Sequence, residues 1–204
     1  MQKLFDSAQT ESTDIIDSYL KSIAKDFEQI SEQLYKEILK KADLKKGQLQ
    51  YDNNLVNLIR KILVELTNKS NYKDNVFKFI DKAKGVGSTD IKINKELGNK
   101  VSANVTNRLL NNTGIFIDGL TAGGYEVNVV NKVQSIVYNA LKNNVSVLEL
   151  QENLNNYFDI VDDTGDLYKY SKQVAQDSLY QYTGELNAGI ASELGLNGIM
   201  YTPN

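Results

Sequence analysis

The chain contains no cysteine and no histidine in 204 residues. The first absence excludes disulfides and thiolate metal sites. The second removes the commonest general base and the commonest metal ligand, and with both gone neither usual nucleophilic triad can be built. Catalysis would have to rest on Asp, Glu, Lys, Tyr or Ser, and no constellation of these stands out. The composition therefore points away from an enzyme and calls for no cofactor or metal. Proline occurs once, at Pro203, so nothing interrupts long helices over most of the length. No apolar run reaches the roughly 20 residues that span a bilayer. The opening residues 1–7 lack the apolar centre of a secretory signal. A strong charge of one sign is missing too: the net charge of −3 gives no global attraction to nucleic acid or to a membrane.

What the chain does have is helical periodicity. Ser12-Thr13-Asp14 reads as a helix start. Beyond it Ile16, Leu20, Ile23, Phe27, Ile30, Leu34 and Ile38 recur at steps of 3 and 4, nearly a heptad stripe. Lys40, Lys41, Lys45 and Lys46 gather at its C-terminal end, where cations suit the helix dipole, and Gly47 reads as its stop. Two readings stay open: one helix of a bundle, or a coiled-coil arm that self-associates. In the second, Phe27→Asp or Ile30→Asp would abolish association and leave the rest folded. A second helix, opened by Asp52 or Asn53, carries Leu55, Leu58, Ile59, Ile62, Leu63 and Leu66. A third, from about Asn71 to Lys82, is expected to bury Val76, Phe77 and Ile80. Connections of a few residues make these three antiparallel neighbours.

Gly85-Val86-Gly87 follows a helix and lacks the Gly-Lys-Ser/Thr ending of a phosphate loop, so it reads as a hinge. The expected organisation is a helical module at 1–84, a linker at 85–92 and a second helical domain at 93–204. Within the latter, Leu97, Val101, Val105, Arg108 and Leu109 mark a helix from Ile93 to about Asn112. The next stretch, Ile115 to Gly124, reads either as a short buried strand or as a helical turn, and its glycines suit a bend or contact loop. Val129, Val130, Val133, Ile136, Val137 and Leu141 mark the next helix, which Asn143-Asn144 close. Ser146 and Glu149 form a capping box. The acidic stretch Asp159 to Asp166 fits no register of a calcium loop and reads as a turn before the last helix. The lysines at 40–46 and 78–84 lie beside Glu37, Asp43, Asp74 and Asp81. They read as solvated helix ends, so nucleic-acid contact is not indicated.

The last helix organises the rest. Its apolar or small residues fall at 171, 175, 178, 179, 182, 186, 189, 190 and 194, one face of a helix. Much of that face is small (Ala175, Ser178, Ala188, Gly189, Ala191), which predicts close backbone contact. Gly195 supplies a left-handed residue after it. Asn197-Gly198 reads as a turn, and Ile199-Met200-Tyr201 as a short terminal strand. The fold class is thus mainly α: a helical bundle of hairpins with a long central C-terminal helix followed by a short strand. Tyr157, Tyr168, Tyr170, Tyr180, Tyr182 and Tyr201 crowd this third of the chain, lining either the core or a partner surface.

Val174-Ala175-Gln176-Asp177-Ser178, Asn187-Ala188, Gly195 and Tyr201, in that order, resemble the phage Mu F-like head morphogenesis (minor head) proteins. Residues 141–158 resemble the short helix that precedes the long one in that family. The likeness covers roughly 125–204. Gln176 and Asp177 stand where the family usually has Arg and Thr, Tyr201 where it has Trp, and the family's continuing strand region is absent. The resemblance implies a virion protein that binds the portal or inner capsid during head assembly and is present in host cytoplasm while it does so. The contacts it implies are Tyr180, Asn187, Ile199 and Tyr201. Two other readings remain beside it: a cytoplasmic helical adaptor that self-associates through its first helix, and a fragment of an enzyme or toxin.

Overall fold

A computed structural model describes residues 2–96, 123–159 and 165–195. The described residues are mainly helical, with one small hairpin. The elements are α1 (Gln2–Lys41), β1 (Leu44–Lys45), β2 (Gln48–Leu49), α2 (Asn53–Lys69) and α3 (Tyr72–Glu96). A single helical turn, Gly123–Tyr125, then runs through a π-helical segment, Glu126–Val130, into α4 (Asn131–Lys142). Finally come α5 (Val147–Phe158) and α6 (Asp166–Glu193).

α1 is the axis. The heptad-like stripe from Ile16 to Ile38 is buried throughout, and Ile23, Phe27, Leu34 and Ile38 have no exposed surface. It packs on α2, α3, α5 and α6. The stripe is therefore filled from within the chain, because these four helices supply the opposite half of its core. The helix starts earlier than Ser12 and stops at Lys41 rather than Gly47. The reason lies in Lys46 and Gly47, whose φ values are +53° and +78°. Two consecutive positive φ angles build the turn that matches strand twist, so Lys45 and Gln48 pair across a tight hairpin.

Helix ends follow local chemistry. The Asp52 carboxylate accepts from the Asn54 N–H at 2.8 Å, and the Ser146 hydroxyl accepts from the Glu149 N–H at 3.1 Å. α3 is capped from a distance. Asp26, buried on α1, accepts from the Asn71 N–H at 3.1 Å and from the Asn75 side-chain amide at 2.7 Å. A charge buried here is tolerated because donors at a helix N-terminus surround it.

Two expectations about α3 fail. Phe77 is 56% exposed while Phe79 is buried against Tyr19, with ring centroids 4.7 Å apart. The helix simply turns the other phenylalanine inward. More consequentially, residues 85–92 are helix and not a linker. Gly87 is buried there, and a Cβ on it would collide with the ring end of Tyr182 from α6, whose Cε1 would lie 2.9 Å away. The glycine serves close helix–helix approach instead of bending. Gly87→Val is expected to cost about 1–3 kcal/mol through overpacking. Native-state hydrogen exchange checks it: amides of 179–190 should lose protection before those of α1, and uniform loss would contradict a local effect.

Residues on both sides of the expected linker share one main core, from Ile15 to Leu179. A smaller cluster of Tyr182, Leu186 and Ile190 packs with Ile91 and Leu194 where α3 and α6 end together. Of the helix expected from Ile93 to Asn112, Ile93–Glu96 closes α3 and the remainder lies outside the described residues.

Candidate interaction surface on the last helix

The periodicity of α6 translates directly into burial. Leu167, Tyr168, Ser171, Ala175, Leu179, Tyr182, Leu186, Gly189 and Ile190 are buried. The small residues divide: Ala175 and Gly189 face inward, whereas Ala188 is exposed and Ser178 and Ala191 are half-buried. Close packing thus uses only part of the small face. Of the turn expected before α6, residues 160–164 lie outside the described residues; Gly165 is the N-cap, and a Cβ on it would strike the Asp159 carbonyl oxygen. At the other end Gly195 has φ +67°, as its position after the helix requires.

The opposite face is open. Gln173, Asp177, Tyr180, Gly184 and Asn187 follow one another at steps of 4, 3, 4 and 3 and are all exposed. Tyr180 stands out as a large ring that is 59% exposed. Asn187 lies two turns further along the same stripe, about 10 Å away by helical rise. The fold thus places Tyr180 and Asn187 on one face, and the glycine between them leaves the backbone approachable. Ile199 and Tyr201, with the expected terminal strand, lie outside the described residues.

The other tyrosines go inward. Tyr157, Tyr168 and Tyr182 are buried, and Tyr170 is half-buried. Tyr157 and Tyr170 join a network that sequence periodicity did not single out, comprising Tyr19, Tyr72 and Tyr125. Tyr72 lies 5.1 Å from Phe27 and 5.4 Å from Tyr125 between ring centroids. Phe158 links Phe27 to Tyr157. The Tyr125 hydroxyl bonds Thr67, and the Tyr157 hydroxyl donates to the Asn128 carbonyl. The π-helical segment makes the second bond available. Its Asn131 N–H reaches back five residues to Glu126, and the Asn128 amide donates to the Gly124 carbonyl at 3.1 Å. Arg60 of α2 anchors the same turn through Glu126 at 3.0 Å.

Burial holds these phenols neutral. It pushes Tyr125 up to about 12, and raises Tyr19, Tyr72 and Tyr157 further and Tyr170 as well. Phenols displaced upward are poor proton acceptors at neutral pH. Asp26, the buried carboxylate, is occupied by two donors of α3. Among the described residues no group of three or more Asp or Glu is placed to hold a metal ion, and no helix is long and apolar enough to cross a membrane. No protein-family model matches the chain, and no curated protein or solved structure matches it significantly.

Proposed function

We propose that this chain is a structural component of a phage virion, a minor head protein that binds the portal or inner capsid during head assembly. It acts by contact, without catalysis and without a cofactor, in the virion and in host cytoplasm before that. The observation that carries the reading is the exposed stripe of α6. It lies within the stretch that resembles the minor head family, and it presents Tyr180 and Asn187 on one solvent face. A long helix anchored by one side to a core is a rigid support for contacts on the other. The competing reading, self-association through the first helix, draws less support: the stripe from Ile16 to Ile38 that suggested it is buried inside this chain.

The test is binding to purified portal rings and to capsid shells by the wild type and by Tyr180→Ala with Asn187→Ala. Both side chains are exposed, so folding stability should stay within about 0.5 kcal/mol. Each loss at a contact centre costs more than about 1 kcal/mol of binding, so the double variant should bind at least about tenfold more weakly. Wild type that binds neither assembly, or a double variant of undiminished affinity, would contradict the proposal.

A further inference from the structure

The hairpin after α1 leaves a strand edge open, and its hydrogen-bond register identifies the open groups. Lys45 pairs with Gln48 and Leu44 with Leu49. The Gln50 N–H donates to the Asp43 carbonyl at 2.9 Å, whereas the Leu49 N–H turns outward to the Val145 carbonyl at 2.9 Å. In an antiparallel ladder bonded and non-bonded pairs alternate. Leu44 and Leu49 are therefore the non-bonded pair, and the Leu44 N–H and C=O point away from β2. On the far side of β2, the segment before α5 covers the sheet: Gln48 bridges Ser146, and the Val147 N–H reaches the Gly47 carbonyl at 3.4 Å. Among the described residues nothing pairs with the β1 side.

The surroundings of this edge are apolar and basic. On the edge itself the Leu44 side chain is 50% exposed. Lys41, Lys45 and Lys46 are exposed along the same stretch. The acid among residues 41–48 is Asp43, also exposed. On a chain of net charge −3, this local basic excess selects against the chain's own average surface.

We propose that the β1 edge at Leu44 is a docking site for an extended, acidic segment of a partner protein, which adds a strand beside Leu44. The Leu44 N–H and C=O supply main-chain pairing, Leu44 takes an apolar side chain, and Lys45 and Lys46 pair with carboxylates. The unpaired main chain and apolar side chain of Leu44 favour a peptide over a nucleic acid, which has no strand backbone to pair with them. The site is separate from α6 and stands without the assignment to a virion.

The test is selection of random peptides of about eight residues, a length that spans a short edge strand, against the full-length protein. Selected peptides should alternate Asp or Glu with apolar residues. Leu44→Pro removes an N–H that makes no bond within the hairpin, so it should weaken binding about tenfold or more and leave thermal stability unchanged. Lys45→Glu with Lys46→Glu should do the same through charge. If Leu44→Pro disturbs folding, amide shifts on adding a selected peptide to wild type decide the matter, and they should concentrate at 43–46. No enrichment over Leu44→Pro, or shifts elsewhere, would overturn the proposal. So would oligothymidylate binding equally to wild type and Leu44→Pro, or dimerisation that Leu44→Pro abolishes.

Discussion

Phe27→Asp is expected to unfold the whole chain. Phe27 has no exposed surface and joins three segments: its ring lies 5.1 Å from Tyr72 of α3 and 6.1 Å from Phe158 of α5. Deleting such a ring costs about 3–5 kcal/mol as a cavity alone. A carboxylate left there without a partner adds several kcal/mol more. Domains of this kind hold only about 5–15 kcal/mol in total. Circular dichroism should therefore show the helical signal of Phe27→Asp lost or its cooperative melt abolished near room temperature. A free coiled-coil arm would respond differently, dissociating while the remaining helices kept their melt. A folded Phe27→Asp protein of reduced oligomeric mass would contradict the buried stripe.

The second large effect is alkaline unfolding. Each phenol of the buried network has a folded pKa above its unfolded value near 10. The neutral form is the one the fold accommodates, so its stability is fully present below pH 10. It is lost as pH rises from there toward each folded pKa, because the unfolded chain releases protons first. Each such group forfeits about 1.4 kcal/mol per pH unit in that window. Tyr19, Tyr72, Tyr125 and Tyr157 all shift in the same direction, so their losses accumulate against a domain that holds only about 5–15 kcal/mol. Phenolate absorbance and helical circular dichroism should thus change together in one cooperative step between about pH 10 and 12. A smooth titration of all 12 tyrosines around the ordinary value, with the helices intact, would rule the buried network out.

The helices were legible in the sequence because each carries its own periodicity. The stripe from Ile16 to Ile38 and the inward face of α6 were both readable, down to Gly189 and Ile190. The cap signals at Asp52, Ser146 and Gly195 were readable too, since each depends on neighbours within a few residues. What was hidden depends on distant residues. Gly85 and Gly87 look like a hinge until Tyr182 is seen against Gly87, and a glycine serving close approach has no local signature. Asp26 looks like a solvent carboxylate on α1 until Asn71 and Asn75 arrive. Phe77 and Phe79 differ only in which side of α3 meets Tyr19. The hairpin at Lys46-Gly47 was read as a helix stop because Gly serves both ends. On the candidate surface, the exposure of Tyr180 and Asn187 follows from α6 periodicity, and Leu44 becomes interesting only once ladder register is known.

Intact particles are the most direct test of the proposal that this chain works by contact within a phage head. Quantitative mass spectrometry of purified virions and of portal rings isolated from them should find the chain at low stoichiometry, retained with the portal. Its absence from particles, with the protein present only free in the infected cell, would contradict the claim.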